Sequence, residues 1–499
     1  MNIADAKQQV KDTVEAYLAT DEVGMHLIDP AAQRPLFLIG APGIGKTAIM
    51  SQVANELGIG LVSYSMTHHT RQSALGLPFV VDGAHGSLTY KATEYTMSEI
   101  IASIYDYIDQ TGLARGILFL DEINCVSETL YPSMLQFLQF KTFGRHRVPD
   151  NWIVVCAGNP PEYNRSAREF DIVTLDRVRK IDIEPNYESW KAYALATNVH
   201  PSILSFLEIE RDCFYAVEST PTGKRFVSAR GWTDLSKTIT TFERMGKRVS
   251  IALVSQFVQD ESIAERFALY YDLFSKYRSD YQITEILAGT WTPEVEERAR
   301  KAAFDERLAV LNLILDAVET GAADTLEREA VIIEIRDALR QAKSRILDGE
   351  VASDVLESLA SERTTELETL SSTGTASADE LRLRRLVINQ LRALERVDAK
   401  GSGAEAFEAL NSEYRALVSD MQSHASEASA SLENAFAFIA QTFGNEREML
   451  VFVSDLSTRP IAMRFVNTFG SDGYTTYSER LDVQTHRHDL LDRANGLAL

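Results

Sequence analysis

Residues 35–50 read PLFLIGAPGIGKTAIM. Leu36 to Ile39 are a continuous apolar run, as expected of a strand covered on both faces in a parallel sheet, and Thr47 to Gln52 read as the start of a helix. Between them stand Gly40, Ala41, Pro42, Gly43, Ile44, Gly45, Lys46 and Thr47, in the spacing G-x-x-x-x-G-K-T. Glycines at these points let backbone N–H groups turn inward around phosphate oxygens at a helix N-terminus. Lys46 adds a point charge, and Thr47 adds a hydroxyl for a magnesium ion. A glycine-rich strand-to-helix turn without a ligand is the plain alternative, and the flanking strand and helix argue against it.

Working outward, 499 residues give ample surface to bury and suggest two to four domains. Hydrophobic content of 45% and charged content of 24% are ordinary for a water-soluble protein. No apolar run approaches the ~18 residues of a membrane span. The opening MNIADAKQQV also lacks the basic-then-apolar layout of a secretory signal, so the expected location is the cytoplasm. The three cysteines, Cys125, Cys156 and Cys213, have no paired spacing and suggest neither a disulfide framework nor a zinc site. His68-His69 and His486-x-His488 lack the carboxylate or cysteine company of a metal site. A net charge of −22 is the opposite of what a nucleic-acid-coating chain carries. The best basic stretch, TFGRHRVPD at 142–150, reads first as a solvated hairpin.

Strand candidates alternate with helical segments up to about residue 183: Leu36 to Gly40, Leu61 to Met66, Gly116 to Asp121, Trp152 to Ala157 and Lys180 to Ile183. That rhythm predicts an α/β fold, a parallel sheet with helices on both faces, over residues 1–184. Residues 185–292 read as mostly helical. No proline occurs between Pro293 and Pro460, which predicts long helices in an acidic bundle or hairpin region over 293–445. A C-terminal region of unassigned type follows at 446–499. Leu308, Leu311, Leu315 and Val318 share a helical face, as do Leu383, Leu386, Val387, Leu391 and Leu394, and both stripes read as core. Breaks are expected at TGAAD (320–324), DGE (348–350), SSTGTASADE (371–380) and AKGSGAE (399–405). The third break ends in a capping box, Ser377-x-x-Glu380.

GILFLDEIN (116–124) places Asp121 and Glu122 at the carboxyl end of an apolar strand, where ligands bind in open α/β sheets. Asp121 suits a magnesium ligand, directly or through water, and Glu122 a base that polarises an attacking water. WIVVCAGNPP (152–161) is another buried strand, ending in Asn159, whose amide could orient the same water. Arg177, just before the strand KIDIEP, is exposed and cannot easily fold back onto its own pocket; a surface ion pair with Asp176 is the alternative. Arg230 begins a predicted helix and could swing onto a phosphate.

The motifs GAPGIGKT, LFLDEIN, GNP, TLDRVRKIDIEP and SARGWTDLSK occur in the order found in AAA+ ATPases, and over residues 20–290 the chain resembles their MoxR branch. That resemblance implies ATP and Mg2+ between a P-loop sheet subdomain and a helical lid, in a homo-oligomeric ring usually of six subunits. Asn159 matches the position called sensor 1, Arg230 the lid arginine called sensor 2, and Arg177 the finger arginine that reaches a neighbour's nucleotide. The family often has Phe after the finger, whereas Val178 and Arg179 follow here, so both Arg177 and Arg179 stay open for that role. Segment 76–96 resembles the branch's helix-2 insert, and FKTFGRHRVPDN resembles its hairpin before sensor 1. The family implies chaperone-like remodelling of a client, often with a von Willebrand factor A domain protein. The competing readings are a nucleic-acid motor of restriction or translocase type and a nucleotide-dependent scaffold without turnover.

Overall fold

The five apolar runs form strands, each placed within a residue of its expected start, and four further strands lie between them in two hairpins. In chain order these are β1 (Leu36–Gly40), β2 (Gly60–Ser65), a hairpin of β3 (Pro78–His85) and β4 (Leu88–Tyr95), β5 (Gly116–Asp121), a short hairpin of β6 (Thr142–Phe143) and β7 (His146–Arg147), β8 (Trp152–Gly158) and β9 (Arg179–Ile183). The computed structural model describes residues 1–479 except 69–73, 75, 86–87, 144, 221–222, 374–376, 397–401 and 446. His69, His486 and His488 lie outside the described residues. Two compact units result: Met1–Tyr193 with Glu210–Ala264, and Ala194–Ile209 with the chain from Glu265 onward.

The first unit is built on a five-stranded sheet of order β2-β5-β8-β1-β9, and every pairing in it is parallel. Because successive side chains on a strand point to opposite faces, each strand feeds two cores. Leu36, Leu38, Ile117, Phe119, Ile153 and Val155 pack against α1 (Ile3–Leu18) and α2 (Lys46–Leu57). Phe37, Leu118, Leu120, Val154 and Cys156 pack on the other face against α3 (Glu99–Thr111) and α4 (Tyr131–Phe140). All of these strand residues are fully or almost fully buried, and each such side chain contributes about 1.5–3 kcal/mol of transfer free energy. Gly60 and Gly116 are needed beside the buried Trp152 indole, because an added Cβ would stand 3.0 Å and 2.7 Å from it. The short α5 (Ile172–Leu175) precedes β9.

The TFGRHRVPD stretch is a hairpin, and acids meet its arginines: Arg145 pairs with Glu94 at 2.6 Å and Arg147 with Asp150 at 3.3 Å. A third hairpin, β10 (Ala216–Thr220) and β11 (Gly223–Val227), lies within the mostly helical stretch and precedes α6 (Ala229–Arg244). Helical periodicity alone does not reveal it.

The second unit is helical. Its longest elements are α7 (Phe304–Leu347), α8 (Ala352–Thr373), α9 (Ala378–Glu395) and α10 (Ala404–Phe443), followed by α11 (Arg447–Ser457) and α12 (Pro460–Phe469). The break expected at TGAAD does not occur: α7 runs through it unbroken for 44 residues, or about 66 Å. Gly321 costs helix propensity, but its bare backbone faces Ala428 of α10, where an added Cβ would stand 3.9 Å from the alanine methyl. Small residues on both helices let α7 and α10 pack closely, and that packing outweighs the local preference. The breaks at DGE, SSTGTASADE and AKGSGAE do separate helices. The Ser377 hydroxyl accepts from the Glu380 amide at 3.1 Å, whereas the Glu380 carboxylate turns to Arg384 instead of completing the box. The first leucine stripe is core, Leu308, Leu311, Leu315 and Val318 joining one cluster with α10 and α11; in the second, Val387, Leu391 and Leu394 join a cluster with α8, Leu383 packs half-buried against it, and Leu386 stays outside it.

Candidate functional site

The backbone between β1 and α2 turns through two positive-φ glycines, Gly43 at +75° and Gly45 at +100°, conformations costly for any residue with a Cβ. Gly43 has a further constraint, since a Cβ there would lie 3.1 Å from the Ser228 hydroxyl and 3.3 Å from Arg230 Cβ. The loop tip is held from that side by Tyr215, whose hydroxyl donates to the Pro42 carbonyl at 3.2 Å. The Arg230 amide donates to the Gly43 carbonyl, also at 3.2 Å. Ser228 caps α6 by accepting from the Gly231 amide, so Arg230 sits in the first turn of a helix whose N-terminus abuts the loop.

Lys46 is 7% exposed. Its ammonium donates to the Gly40 carbonyl (2.8 Å), the Ala41 carbonyl (2.9 Å) and Asn159 Oδ1 (2.8 Å). No carboxylate touches it among the described residues. Burial is the main cause that draws this ammonium down to about 8; Asp121 pulls the other way, Arg230 adds to the lowering, and Glu122 opposes it. A buried cation bonded only to neutral oxygens beneath a glycine turn fits a phosphate group. The Thr47 hydroxyl donates to Asp121 Oδ2 at 3.0 Å, which places a hydroxyl and a carboxylate side by side. Such an oxygen pair fits Mg2+, which keeps several waters and takes one or two protein oxygens plus substrate phosphate.

Glu122 follows at φ +56°, left-handed backbone that costs a residue with a side chain about 1–3 kcal/mol and tends to collect at functional sites. Asp121 Oδ1 supports the turn by accepting from the Glu122 amide at 2.9 Å. The turn sends the carboxylate toward β2, where Glu122 Oε2 accepts from the Ser65 hydroxyl at 3.1 Å and the Thr67 hydroxyl at 3.0 Å. Asn124 is 1% exposed and braces the neighbouring strand end by donating to the carbonyls of Asn159 (2.8 Å) and Arg168 (3.2 Å). An added Cβ on Gly158 would meet Asn124 Oδ1 at 2.4 Å, so the fit leaves room only for glycine.

Gly40 to Thr47, Asp121, Glu122, Asn159 and Arg230 thus converge at the carboxyl end of the sheet. Arg177, expected to be exposed but half-buried, does not join them. Leu36 pairs with Arg179 and Gly40 with Ile183, so Arg177, two residues before β9, stands where β1 begins, whereas the cradle starts where β1 ends. At ~3.3 Å per residue the four steps from Leu36 to Gly40 set the two ends about 13 Å apart. Arg179 lies at the same far end, its amide donating to the Pro35 carbonyl. Asp176 faces Arg34 at 3.8 Å rather than Arg177.

Ser65, Thr67, Asn124 and Tyr215 were not singled out by sequence reasoning. Asn124, three residues after Asp121 in DEIN, offered a local signal; the others reach the site only through the fold. Among the described residues no helix is long and apolar enough to cross a membrane, and no cluster of three or more His, Cys, Asp or Glu could hold a metal ion. A comparison of the whole chain with curated proteins returns no match. Residues 36–172, which carry the sheet from β1 to β8, the cradle, the Asp121-Glu122 pair and Asn159, match the family model for the ATPase family associated with various cellular activities (AAA).

Proposed function

We propose that the chain is an ATP-driven remodelling machine of the MoxR type, working in the cytoplasm as a homo-oligomeric ring, of six subunits by resemblance, on a client protein. The observation that carries this reading is the convergence of Lys46, Thr47, Asp121, Glu122 and Asn159 at one end of the sheet while Arg177 stands at the other. In this reading Gly40 to Thr47 cradle the ATP phosphates, with Lys46 facing the β/γ-phosphates. Thr47 and Asp121 hold Mg2+, which would neutralise phosphate charge. Glu122 takes the proton of the attacking water, Asn159 and Arg230 orient groups around the γ-phosphate, and Arg177 serves the neighbouring subunit's nucleotide. The acidic balance of 72 Asp and Glu against 50 Lys and Arg favours a protein client over nucleic acid, and the family likeness suggests a von Willebrand factor A domain partner. The test has two parts. Phosphate release from Mg-ATP should occur and should not rise with added DNA. A von Willebrand factor A domain protein should be retained by the ATP-bound protein; steep, salt-sensitive DNA binding with DNA-stimulated turnover would instead establish a nucleic-acid motor.

Two further outcomes follow from the site. The Ser65 and Thr67 hydroxyls tether the Glu122 carboxylate toward β2, so Glu122 must give up part of that hold to reach an attacking water. The net worth of a hydrogen bond is about 0.5–1.5 kcal/mol, and releasing a hold of that size with Ser65→Ala and Thr67→Val should raise basal hydrolysis by roughly 3- to 10-fold. Phosphate release at saturating ATP reads this, and a fall would mean that the hydroxyls aim the carboxylate.

Lys46 gives a proton signature. The fold lowers this ammonium from 10.5 to about 8, so without ligand the fold gains stability as pH rises from about 8 toward 10.5, where the unfolded lysine keeps its proton. Phosphate beside it reverses the shift. ATP binding at about 0.5 pH units above the lowered value should therefore take up a proton and weaken as pH rises further. Calorimetry in two buffers of different ionisation enthalpy measures the uptake, and Lys46→Met should abolish it; buffer-independent heats in the native protein would contradict the assignment.

A further inference from the structure

The loop between α1 and β1 presents Val23, Met25 and Leu27 to solvent at 85%, 68% and 66% exposure. Isolated exposed apolar residues are common and mean little. Three of them within five residues on a braced turn are different, because the turn holds them out rather than letting them collapse. Asp21 Oδ1 accepts from the Val23 amide (3.0 Å) and the Met25 amide (2.8 Å). The Asp21 amide donates to the Met25 carbonyl and the Leu27 amide to the Ala19 carbonyl. Below the turn, Gln33, 3% exposed, donates to the carbonyls of Tyr17 and Ile28. Lys141, 7% exposed, donates to the Pro30 carbonyl and Gln33 Oε1. Two buried polar side chains thus fix the base of a loop whose tip is apolar.

The base of this loop is tied to the finger segment. Arg34 faces Asp176 at 3.8 Å, and the Pro35 carbonyl accepts from the Arg179 amide at 2.8 Å. Beside these contacts Ile172 is 85% and Val173 57% exposed. The apolar loop, the apolar α5 and Arg177 therefore share the end of the sheet opposite the cradle.

We propose that the loop of residues 20–28 docks this end of the protein onto the cradle-bearing side of a second copy of the chain, so that the contact that assembles the ring also delivers Arg177. This rests on the reading that Arg177 serves a neighbouring subunit. The occupant is another copy because the site is incomplete without one: its own Arg177 stands at the opposite end of β1 and β9, about 13 Å of strand away. Whatever covers the Arg177 end must also meet the loop joined to it. Coupling the two keeps hydrolysis silent in a lone subunit.

The experiment compares the native chain, a Val23→Ser/Met25→Ser/Leu27→Ser triple variant and Arg177→Ala by sedimentation with Mg2+ and a non-hydrolysable ATP analogue. The native chain and Arg177→Ala should assemble. The triple variant should bind the analogue one per chain yet associate about a hundredfold more weakly or worse, as expected for losing clustered interface anchors. Its hydrolysis should fall toward the Arg177→Ala level. Assembly of the triple variant equal to the native chain overturns the inference alone, whereas a native chain that never assembles overturns the ring reading and the inference with it. Should the triple variant fail to bind the analogue, a Val23→Cys variant decides. Its thiol should react with maleimide in the unassembled protein and be protected upon assembly, and equal labelling in both states overturns the proposal.

Discussion

Arg177→Ala should bind ATP normally and hydrolyse it about 10³- to 10⁵-fold more slowly, the range an arginine finger supplies by stabilising charge on the transferring phosphoryl group. Binding survives because Lys46, Thr47 and Asp121 are untouched at the other end of the sheet. The mixing experiment separates action within a chain from action between chains. Lys46→Ala should be inactive for lack of nucleotide, because the β/γ-phosphate charge loses its nearest protein cation. An Arg177→Ala subunit keeps its cradle, and a Lys46→Ala neighbour lends it an intact arginine. Mixed under conditions of subunit exchange, the two inactive proteins should regain hydrolysis to a fraction set by how many complementary neighbours form. Inactivity at every ratio, with exchange demonstrated, would mean that Arg177 is not the donated group. Repeating the mixture with Arg179→Ala then asks whether Arg179, at the same end of β9, is the finger. Arg179 is already committed through its backbone to Pro35, but its exposed side chain leaves that comparison meaningful.

The sheet was legible because its strands are short, apolar and separated by helices, a pattern set by local composition: β1 and β5 begin and end where the apolar runs do. The cradle was legible for a related reason, since its geometry is made by neighbours in sequence. What the sequence concealed depends on distant partners. Nothing near Glu122 announces that Ser65 and Thr67 will hold its carboxylate, for they come from the end of β2 and the turn after it, more than fifty residues earlier. Tyr215 reaches the loop tip across 173 positions. The unbroken α7 illustrates the same limit from the other side: TGAAD carries local break signals, and packing against Ala428 of α10 overrides them. Alternation in β10 and β11 was hidden because each strand is only five residues long, flanked by helical sequence.

Glu122→Gln should hold ATP and hydrolyse it about 10²- to 10⁴-fold more slowly, the contribution of a positioned general base. The amide is nearly isosteric, so the left-handed turn at residue 122 and the Asp121 contact that supports it should persist. An amide oxygen can still accept from the Ser65 and Thr67 hydroxyls, which keeps the side chain in place while removing its basicity. Binding and chemistry should therefore separate cleanly: the affinity for ATP, measured by calorimetry before turnover, stays within about threefold of the native value, while phosphate release collapses. Because the variant remains ATP-bound, the ring should stay assembled and retain its client, which makes it the form from which to isolate a partner. Retained turnover would remove Glu122 from the chemistry and leave its strained backbone without that explanation. Loss of ATP binding would mean instead that the carboxylate serves Mg2+ alongside Asp121, a result distinguishable by titrating Mg2+, since only a lost ligand would raise the concentration needed for binding.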